Sequence, residues 1–296
     1  MLDKVRPDGV VIASPNKLHT STALACIERG IPVLVEKPIA DSMAEAISIA
    51  EASRSSGVPV LVGHHRRYNP LMRRAQEFIR EGGIGQMVAI VAFSLRRKHD
   101  AYYDAPWKRE PGGGPLLING IHEIDNLRML CGEIESLQCA TANNTRGYPV
   151  EDTIAATLKF VNGTLGTLTI SDAVQAPWAW ELTAREEPEF AWESQNSCMV
   201  CGTEASIAIP SLEHWRNEKA AAAATLVCAD GFTSSRPTRC AKSCCISRVS
   251  FAARNRPLCL PKKAAARWPA YWPWIARPAP ANGSASTIST TKEKYE

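Results

Sequence analysis

The order of the elements predicted for this chain indicates an α/β domain followed by an α+β domain. Residues 8–63 alternate apolar runs of strand length with helical segments, an order typical of a parallel, doubly wound sheet. Beyond residue 63 the apolar runs follow one another with few helices between them, which is typical of antiparallel pairing. We therefore expect an incomplete Rossmann-type parallel sheet in residues 1–65. An α+β domain with a mainly antiparallel, open sheet is expected in residues 66–219.

Three strands and two helices are predicted for the first domain. The strands are short apolar runs bounded by turn residues, and they cover residues 8–14, 31–35 and 58–62. The first helix covers residues 17–29, and Gly30 ends it. The second helix begins after Asp41 as N-cap and ends at Gly57. This alternation places all three strands parallel, with their carboxyl ends at one edge of the sheet.

A glycine-rich turn for the pyrophosphate of a dinucleotide is not found in the first domain. No G-x-G-x-x-G precedes the first strand, which begins seven residues after the N-terminus. The motif Gly82-Gly-Ile-Gly85 follows a helix predicted over residues 70–81, so it is interpreted as a C-terminal turn of that helix. The first βαβ unit of a dinucleotide fold is therefore expected to be absent.

The second domain is predicted to contain mostly strands. Besides helices over residues 70–81 and 115–131, the apolar pattern predicts strands over 86–96, 134–143, 153–161, 164–171 and 206–209. Asn162-Gly163 separates two of these strands, and this dipeptide favours a tight hairpin turn. Runs of strands joined by such turns predict the antiparallel sheet.

The composition changes at about residue 220. A run of five alanines is followed by cysteines scattered among Arg, Ser and Pro, and residues 268–274 hold three tryptophans. No helical or strand period is found, so residues 220–296 are interpreted as a disordered or frameshifted tail; a natural low-complexity linker is the alternative. The surplus of Lys and Arg behind the net charge of +4 lies in this tail, and it gives no indication of nucleic-acid binding.

Membrane, secretory and metal-binding functions are not favoured by the sequence. No run of about 18 apolar residues occurs, and the N-terminus lacks a signal-peptide pattern, so a cytoplasmic protein without membrane contact is expected. Cys26, Cys131 and Cys139 lie in apolar patterns and are predicted to be buried. Cys198 and Cys201 have the spacing of a redox or zinc pair, but no second ligand pair accompanies them, so no metal is expected.

Two charged residues follow the second predicted strand directly. Glu36 and Lys37 end the run Val33-Leu-Val-Glu-Lys-Pro38, and open α/β sheets bind ligands at the carboxyl ends of their strands. A lysine in that place can hold a substrate hydroxyl or move a proton. A solvated lysine paired with Glu36 is the simpler alternative.

A histidine on the helix predicted over residues 115–131 is the second candidate. Spacings of three and four place five residues on one helix face: Ile118, Asn119, His122, Asp125 and Asn126. Imidazole can accept a hydroxyl proton near neutral pH. A purely structural histidine remains the alternative.

Seven short motifs occur in the order in which one enzyme family carries them. They are Asp8–Asn16 with His19, Glu36-Lys-Pro38, Arg66-Arg-Tyr-Asn-Pro70, Gly82-Gly-Ile-Gly85, Trp107-Lys-Arg109, Gly112-Gly-Gly114 and Gly120-Ile-His-Glu-Ile-Asp125. Residues 1–219 thereby resemble the glucose–fructose oxidoreductase / inositol dehydrogenase / rhizopine-catabolism (Gfo/Idh/MocA) family.

The resemblance implies hydride transfer between NAD or NADP and a sugar, polyol or related small molecule. It implies that Lys37 is catalytic, that His122 is the acid/base, that Asp125 orients the ring or holds the helix, and that Asn119 supplies a hydrogen bond. The cofactor-binding residues that it implies are Ser14, Pro15, Asn16, His19, Glu36, Lys37, Pro38, Arg67 and Trp107. It also implies a homo-oligomer formed through the open sheet.

One position departs from the family pattern. Many members carry an aspartate four residues before the histidine, where this chain has Ile118. Either Lys37 and His122 suffice here, or the substrate differs from the polyols of the members that carry the aspartate. Two other readings stay open: a non-catalytic remnant that does not bind cofactor, and a lyase or hydrolase on the same scaffold.

Overall fold

A small parallel sheet begins the fold. The computed structural model describes residues 2–217, 226–229 and 258–259. Strands β1 (Val10–Ile12), β2 (Val33–Val35) and β3 (Val60–Val62) pair in this order and are parallel. The predicted Rossmann-type sheet is therefore confirmed, and its three carboxyl ends lie at one edge.

Three helices accompany this sheet, and their ends follow from local chemistry. They are α1 (Leu2–Val5), α2 (His19–Ile27) and α3 (Met43–Ser56). The N-cap of α3 is Ser42, whose Oγ accepts a hydrogen bond from Glu45 N at 3.3 Å. The prediction of Asp41 as the cap was therefore wrong by one residue. Gly57 ends α3 in the left-handed conformation at φ +71°, as predicted.

The second domain follows with two longer helices and one short helix among its strands. In chain order its elements are α4 (Pro70–Arg80), β4 (Met87–Arg97), α5 (Ile121–Cys131), β5 (Ile134–Ala142), β6 (Thr153–Phe160), β7 (Leu165–Ser171), β8 (Ala173–Trp178), α6 (Trp180–Thr183), β9 (Cys198–Gly202), β10 (Ala205–Ile209) and β11 (His214–Asn217). Two short strands lie further along the chain, β12 (Leu226–Ala229) and β13 (Leu258–Cys259).

The large sheet has the order β12-β11-β10-β9-β4-β7-β6-β5, and β8 also pairs with β4. All of these pairings are antiparallel except that of β4 with β7. One face packs against α4 and α5 in a core that includes Met72, Leu127, Ile154, Leu168 and Ile170. The predicted mainly antiparallel sheet is thus confirmed.

Not every strand was predicted. Strands β8, β9 and β11 were not expected, and β9 contains both Cys198 and Cys201. Residues three apart on a strand point to opposite faces, so these two cysteines do not form a pair. Cys139 is exposed, against prediction, because it lies on the edge strand β5; Cys26 and Cys131 are buried as predicted.

The helix predicted over residues 115–131 starts irregularly. Residues Leu116–Gly120 form a π-helical turn, and the regular α5 begins only at Ile121. This turn lies close to the large sheet, since a Cβ on Gly120 would come within 2.6 Å of Ile170 Cδ1. Within this turn, the carbonyl of Ile118 accepts a hydrogen bond from Lys37 of the first domain.

Within the basic stretch Arg96–His99 around the end of β4, Lys98 is buried. The Lys98 side chain is 3% exposed, and its Nζ lies 3.4 Å from Asp172 Oδ2. Burial lowers the pKa of Lys98 to about 8. The Asp172 carboxylate also accepts a hydrogen bond from the Tyr103 hydroxyl, so this end of β4 is a buried ionic cluster.

Within residues 220–296, where no strand was predicted, the structure places β12 and β13. Strand β12 pairs with β11, and β13 pairs with β1. The rest of that stretch, including the tryptophan-rich residues 268–274, lies outside the described residues. In the part of the chain that is described, the helices are too short or too polar to cross a bilayer.

Candidate active site

The amine of Lys37 joins the two domains. Lys37 lies two residues beyond β2, and its Nζ donates a hydrogen bond of 2.9 Å to the carbonyl of Ile118 in the π-helical turn. The side chain thus runs from the edge of the parallel sheet to the start of α5. Two of its three N–H groups remain for a ligand or a charged neighbour.

Glu36 is fixed beside this lysine through the backbone. Its Oε2 accepts a hydrogen bond of 3.1 Å from the Lys37 N–H, and a Cβ on Gly63 would lie 3.0 Å from its Oε1. A glycine at position 63 therefore leaves room for the carboxylate. Burial lowers the pKa of Lys37 and raises that of Glu36, and each of the two opposes the shift of the other by charge.

His122 lies near this lysine and is almost fully buried. It is 6% exposed, and its Nδ1 has no hydrogen-bond partner among the described residues. Burial lowers its pKa well below the ordinary value, and the positive charges of Arg66 and Lys37 lower it further. The ring is therefore neutral near pH 7, which is the form that accepts a proton.

Asp125 binds an arginine and not the ring of His122. Arg67 donates to it from Nε at 2.7 Å and from Nη2 at 2.7 Å, a bidentate arrangement. An imidazole nitrogen near this carboxylate is Nδ1 of His64, which lies 3.9 Å from Asp125 Oδ2. Of the two roles that the sequence suggested for Asp125, the contacts favour holding the helix.

Asn119 belongs to a buried ionic network behind His122. Its Nδ2 donates to Glu181 Oε1 at 2.8 Å, while its Oδ1 is buried without a partner among the described residues. Arg66 donates to Glu123 at 2.5 Å and to Glu181 at 3.3 Å. This network connects α5 with α6 and with the residues after β3, and it was not predicted from the sequence.

Two further histidines were also missed. His64 and His65 follow β3, and their ring centroids lie 6.0 Å and 5.0 Å from that of His122, edge to face. The rule that singled out Lys37 applies equally to them, because they come directly after an apolar strand. The strand predicted over residues 58–62 therefore offered the same signal.

The loops after β1 and β2 are tied together by His19. Its Nδ1 lies 2.8 Å from the carbonyl of Pro38, and its Nε2 lies 2.9 Å from the carbonyl of Ser14. Pro15 precedes a 3-10 turn over Asn16–Leu18, which leads into α2. Six of the predicted cofactor-binding residues therefore lie in two connected loops at the carboxyl edge of the sheet: Ser14, Pro15, Asn16, Glu36, Lys37 and Pro38.

Trp107, one of the predicted cofactor-binding residues, is exposed to solvent. It is 54% exposed in a 3-10 turn over Pro106–Arg109, and its ring centroid lies 5.6 Å from Nζ of Lys108. Its role toward a cofactor stays a prediction. Arg67 and Pro38, by contrast, are held by hydrogen bonds, Arg67 to Asp125 and the Pro38 carbonyl to His19.

The unpaired polar atoms of this cluster suit a polar ligand. Within the described residues, Ser14 Oγ, His64 Nδ1, Asn119 Oδ1 and His122 Nδ1 are buried without a hydrogen-bond partner. Buried polar groups are rarely left in that state, so these atoms fit the nicotinamide end of a dinucleotide and a polar substrate. In the same part of the chain no group of three His, Cys, Asp or Glu side chains is arranged to hold a metal ion.

Comparisons with known proteins identify the two domains. Residues 1–64 match the model described as an oxidoreductase family with an NAD-binding Rossmann fold, and residues 72–208 match the GFO/IDH/MocA C-terminal domain. The rhizopine catabolism protein MocA of Rhizobium meliloti is 32% identical over 146 residues, which are 49% of this chain and 45% of that protein. Inositol 2-dehydrogenase 2 of Saccharopolyspora erythraea is 32% identical over 171 residues, 56% and 48% of the two chains.

A solved structure extends the similarity to the fold. The WlbA dehydrogenase of Bordetella pertussis, crystallised with NADH and UDP-GlcNAcA, superimposes with a TM-score of 0.59 at 23% identity, covering 71% of this chain and 61% of that one. The chain spans about half the length of the curated relatives it matches. The two domain models together match more than half of the chain, which therefore belongs to the Gfo/Idh/MocA family of NAD-binding oxidoreductases.

Proposed function

We propose that this protein carries the catalytic residues of an NAD(P)-dependent dehydrogenase for a sugar, a polyol or a related hydroxy compound. The observation that carries the proposal is the 2.9 Å hydrogen bond from Lys37 Nζ to Ile118 O, which brings the amine to the turn that leads into the His122 helix. The named relatives support the substrate class, since one acts in rhizopine catabolism and another is an inositol dehydrogenase.

The proposed reaction is the oxidation of a secondary alcohol. Bound NAD(P)+, held by residues of the two loops that His19 connects, would supply the acceptor for the hydride of the C–H bond. The O–H proton would pass to neutral His122, so that the alcohol becomes a carbonyl. The lowered pKa of His122 keeps the base unprotonated at neutral pH.

Lys37 would act on the oxygen. An N–H of Lys37 that is not engaged with Ile118 can donate to the substrate oxygen and stabilise the negative charge that develops as hydride leaves. Asn119 Oδ1, which is buried and unpaired, would accept a hydrogen bond from a neighbouring hydroxyl. Asp125 is bound to Arg67 and would hold α5 without touching the substrate.

Cofactor binding and turnover together test the proposal. The purified protein is titrated with NADH and NADPH by fluorescence, then incubated with NAD+ or NADP+ and a panel of inositols, hexoses and uronic acids. A dissociation constant of micromolar order, about −8 kcal/mol, together with an increase in absorbance at 340 nm, would support the proposal. Absence of binding would favour the non-catalytic reading, and binding without any redox change would favour a lyase or hydrolase.

We further propose that a second copy of this chain docks on the open face of the large sheet. Leu165, Thr167 and Trp178 lie on the face of β4, β7 and β8 that is turned away from α4 and α5, and Leu165 and Trp178 are 61% and 42% exposed. Sedimentation equilibrium should give a dimer or tetramer, and Leu165→Glu should shift it toward monomer. The free thiols among the described residues suit the reducing cytoplasm, where we place the reaction.

A further inference from the structure

The proton that His122 takes up has no direct way out of the site. The His122 side chain is buried at 6% exposure, and Lys37 and Arg66 place positive charge beside it. A protonated ring in these surroundings must pass its proton on before the next turnover. The residues packed around the ring therefore decide where that proton goes.

His65 is the neighbour best placed to receive it. Its ring centroid lies 5.0 Å from that of His122 with an interplanar angle of 68°, an edge-to-face contact that brings the two rings within reach of one bridging water. His65 is less buried than His122, with 21% of its side chain exposed. His64 lies farther away, at 6.0 Å, and faces Asp125, whose carboxylate is already bound to Arg67.

The carboxylate of Glu186 also lies near His65. Glu186 Oε2 lies 3.8 Å from His65 Nε2, and the same oxygen accepts a hydrogen bond of 2.6 Å from Trp180 Nε1. The hydrogen bond from Trp180 therefore holds the Glu186 carboxylate in the orientation that faces the His65 imidazole. The Glu186 side chain is 12% exposed and lies in the segment after α6, which leads to the exposed residues 188 and 189.

We propose that His65 and Glu186 form, together with His122, a relay that carries the proton released in the reaction from the buried base to the surface. The inference rests on the proposed function. In each turnover the proton moves from His122 to His65, then from His65 to Glu186 and to water, so that both rings end neutral and no further reactant is consumed.

The charges around His65 favour transfer of a proton through this ring over retention of the proton on it. Burial, Arg66 and Lys37 lower the pKa of His65 to about 4, while Glu186 and Glu181 act in the opposite direction. A proton that reaches this ring is therefore held only briefly. The same burial and the same two cations lower the pKa of His122, so neither ring traps the proton.

The first test needs no substrate. In protein labelled with ¹⁵N, the exchange of the His122 ring N–H with water is followed by NMR in wild type, His65→Phe and His64→Phe. Phenylalanine fills the space of the imidazole but carries no proton. We expect exchange to slow at least about tenfold in His65→Phe and to stay near the wild-type rate in His64→Phe. Equal rates in wild type and His65→Phe would overturn the relay.

The second test uses turnover and separates a relay from a structural role. At low buffer concentration kcat of His65→Ala and of Glu186→Gln should fall, and added imidazole should restore kcat of His65→Ala in proportion to its concentration. A merely structural histidine would not be rescued in this way, and unchanged kcat in both variants would contradict the proposal. If the wild type lacks any dehydrogenase activity the proposed function fails, and the exchange rates alone then decide the relay.

Discussion

Arg67 holds Asp125 through two parallel hydrogen bonds, from Nε to Oδ2 at 2.7 Å and from Nη2 to Oδ1 at 2.7 Å. Asp125 is 7% exposed at its side chain, whereas Arg67 is 39% exposed. The pair fastens the helix that carries His122 to the segment after β3. The carboxylate is therefore occupied, which leaves the imidazole without an acidic partner on its own helix.

Asp125→Asn should weaken this attachment. The amide cannot accept both charge-assisted bonds, so the free energy of unfolding should fall by about 1.5–3 kcal/mol, toward the lower end because Arg67 is partly exposed. Urea unfolding measures it. The matched control is Glu133→Gln, which removes the partner of Arg128 in a bidentate pair whose side chains are 46% and 52% exposed. A larger loss in the control than in Asp125→Asn would refute the assignment.

Lys37→Ala and His122→Ala test the assigned roles. Each should lower kcat by about 10²–10⁴-fold, the usual contribution of a positioned acid or base. NADH titration of both variants shows whether the site is still assembled. Near-wild-type turnover in His122→Ala beside an inactive Lys37→Ala would mean that the proton goes to another group. Full turnover in both would remove the two residues from the catalytic site.

Arg66→Met should be among the most destabilising single substitutions in the chain. Arg66 is 3% exposed and bonds to Glu123 and Glu181, so its removal takes the bonded cation away from two buried carboxylates, of which Glu181 keeps its hydrogen bond from Asn119. Breaking a buried pair in this way costs about 3–5 kcal/mol. Arg74→Met is the control, because Arg74 is 39% exposed and forms a 3.5 Å surface pair with Glu77, so its loss should change stability by less than about 0.5 kcal/mol. Equal urea midpoints for the two variants would contradict the network.

Sequence patterns predict the parts of this site that depend on neighbouring residues, but not the contacts between residues that are far apart in the sequence. Lys37 was predicted because a strand end is a local signal, and His122 because helix spacing is a local signal. The bond from Arg66 to Glu181 joins residues 115 positions apart, and that from Lys37 to Ile118 joins residues 81 apart. Such pairings depend on how the sheets pack, which no local pattern encodes. The π-helical turn, which directs the Ile118 carbonyl toward Lys37, is likewise set by packing.

Glu187→Gln should change how stability depends on pH. Burial, with Glu181 and Glu189 adding negative charge, raises the pKa of Glu187 to about 7. The folded state then binds a proton that the unfolded chain has released, so this group makes stability fall as the pH rises from about 4.5 to 7. The variant should have a higher urea midpoint than wild type at pH 8 and a similar one at pH 4.5. Glu193→Gln changes an exposed position and should show no such difference. If the urea midpoint of Glu187→Gln equals that of wild type at pH 8, the ionised carboxylate of Glu187 does not destabilise the folded state.

Ile118→Asp restores a carboxylate at the position where many relatives of this family carry one. The new charge enters the turn whose backbone already binds Lys37, and it lies one helical turn before His122. A negative charge within about 6 Å should raise the pKa of His122, which is lowered by burial and by the positive charges of Arg66 and Lys37. The acid limb of the pH–rate profile should then move to higher pH, and NMR titration of the ring should show the same direction. Ile118→Asn has nearly the same shape without the charge, so it should leave the acid limb in place. If both variants move the limb equally, the effect comes from a change in packing and not from the carboxylate.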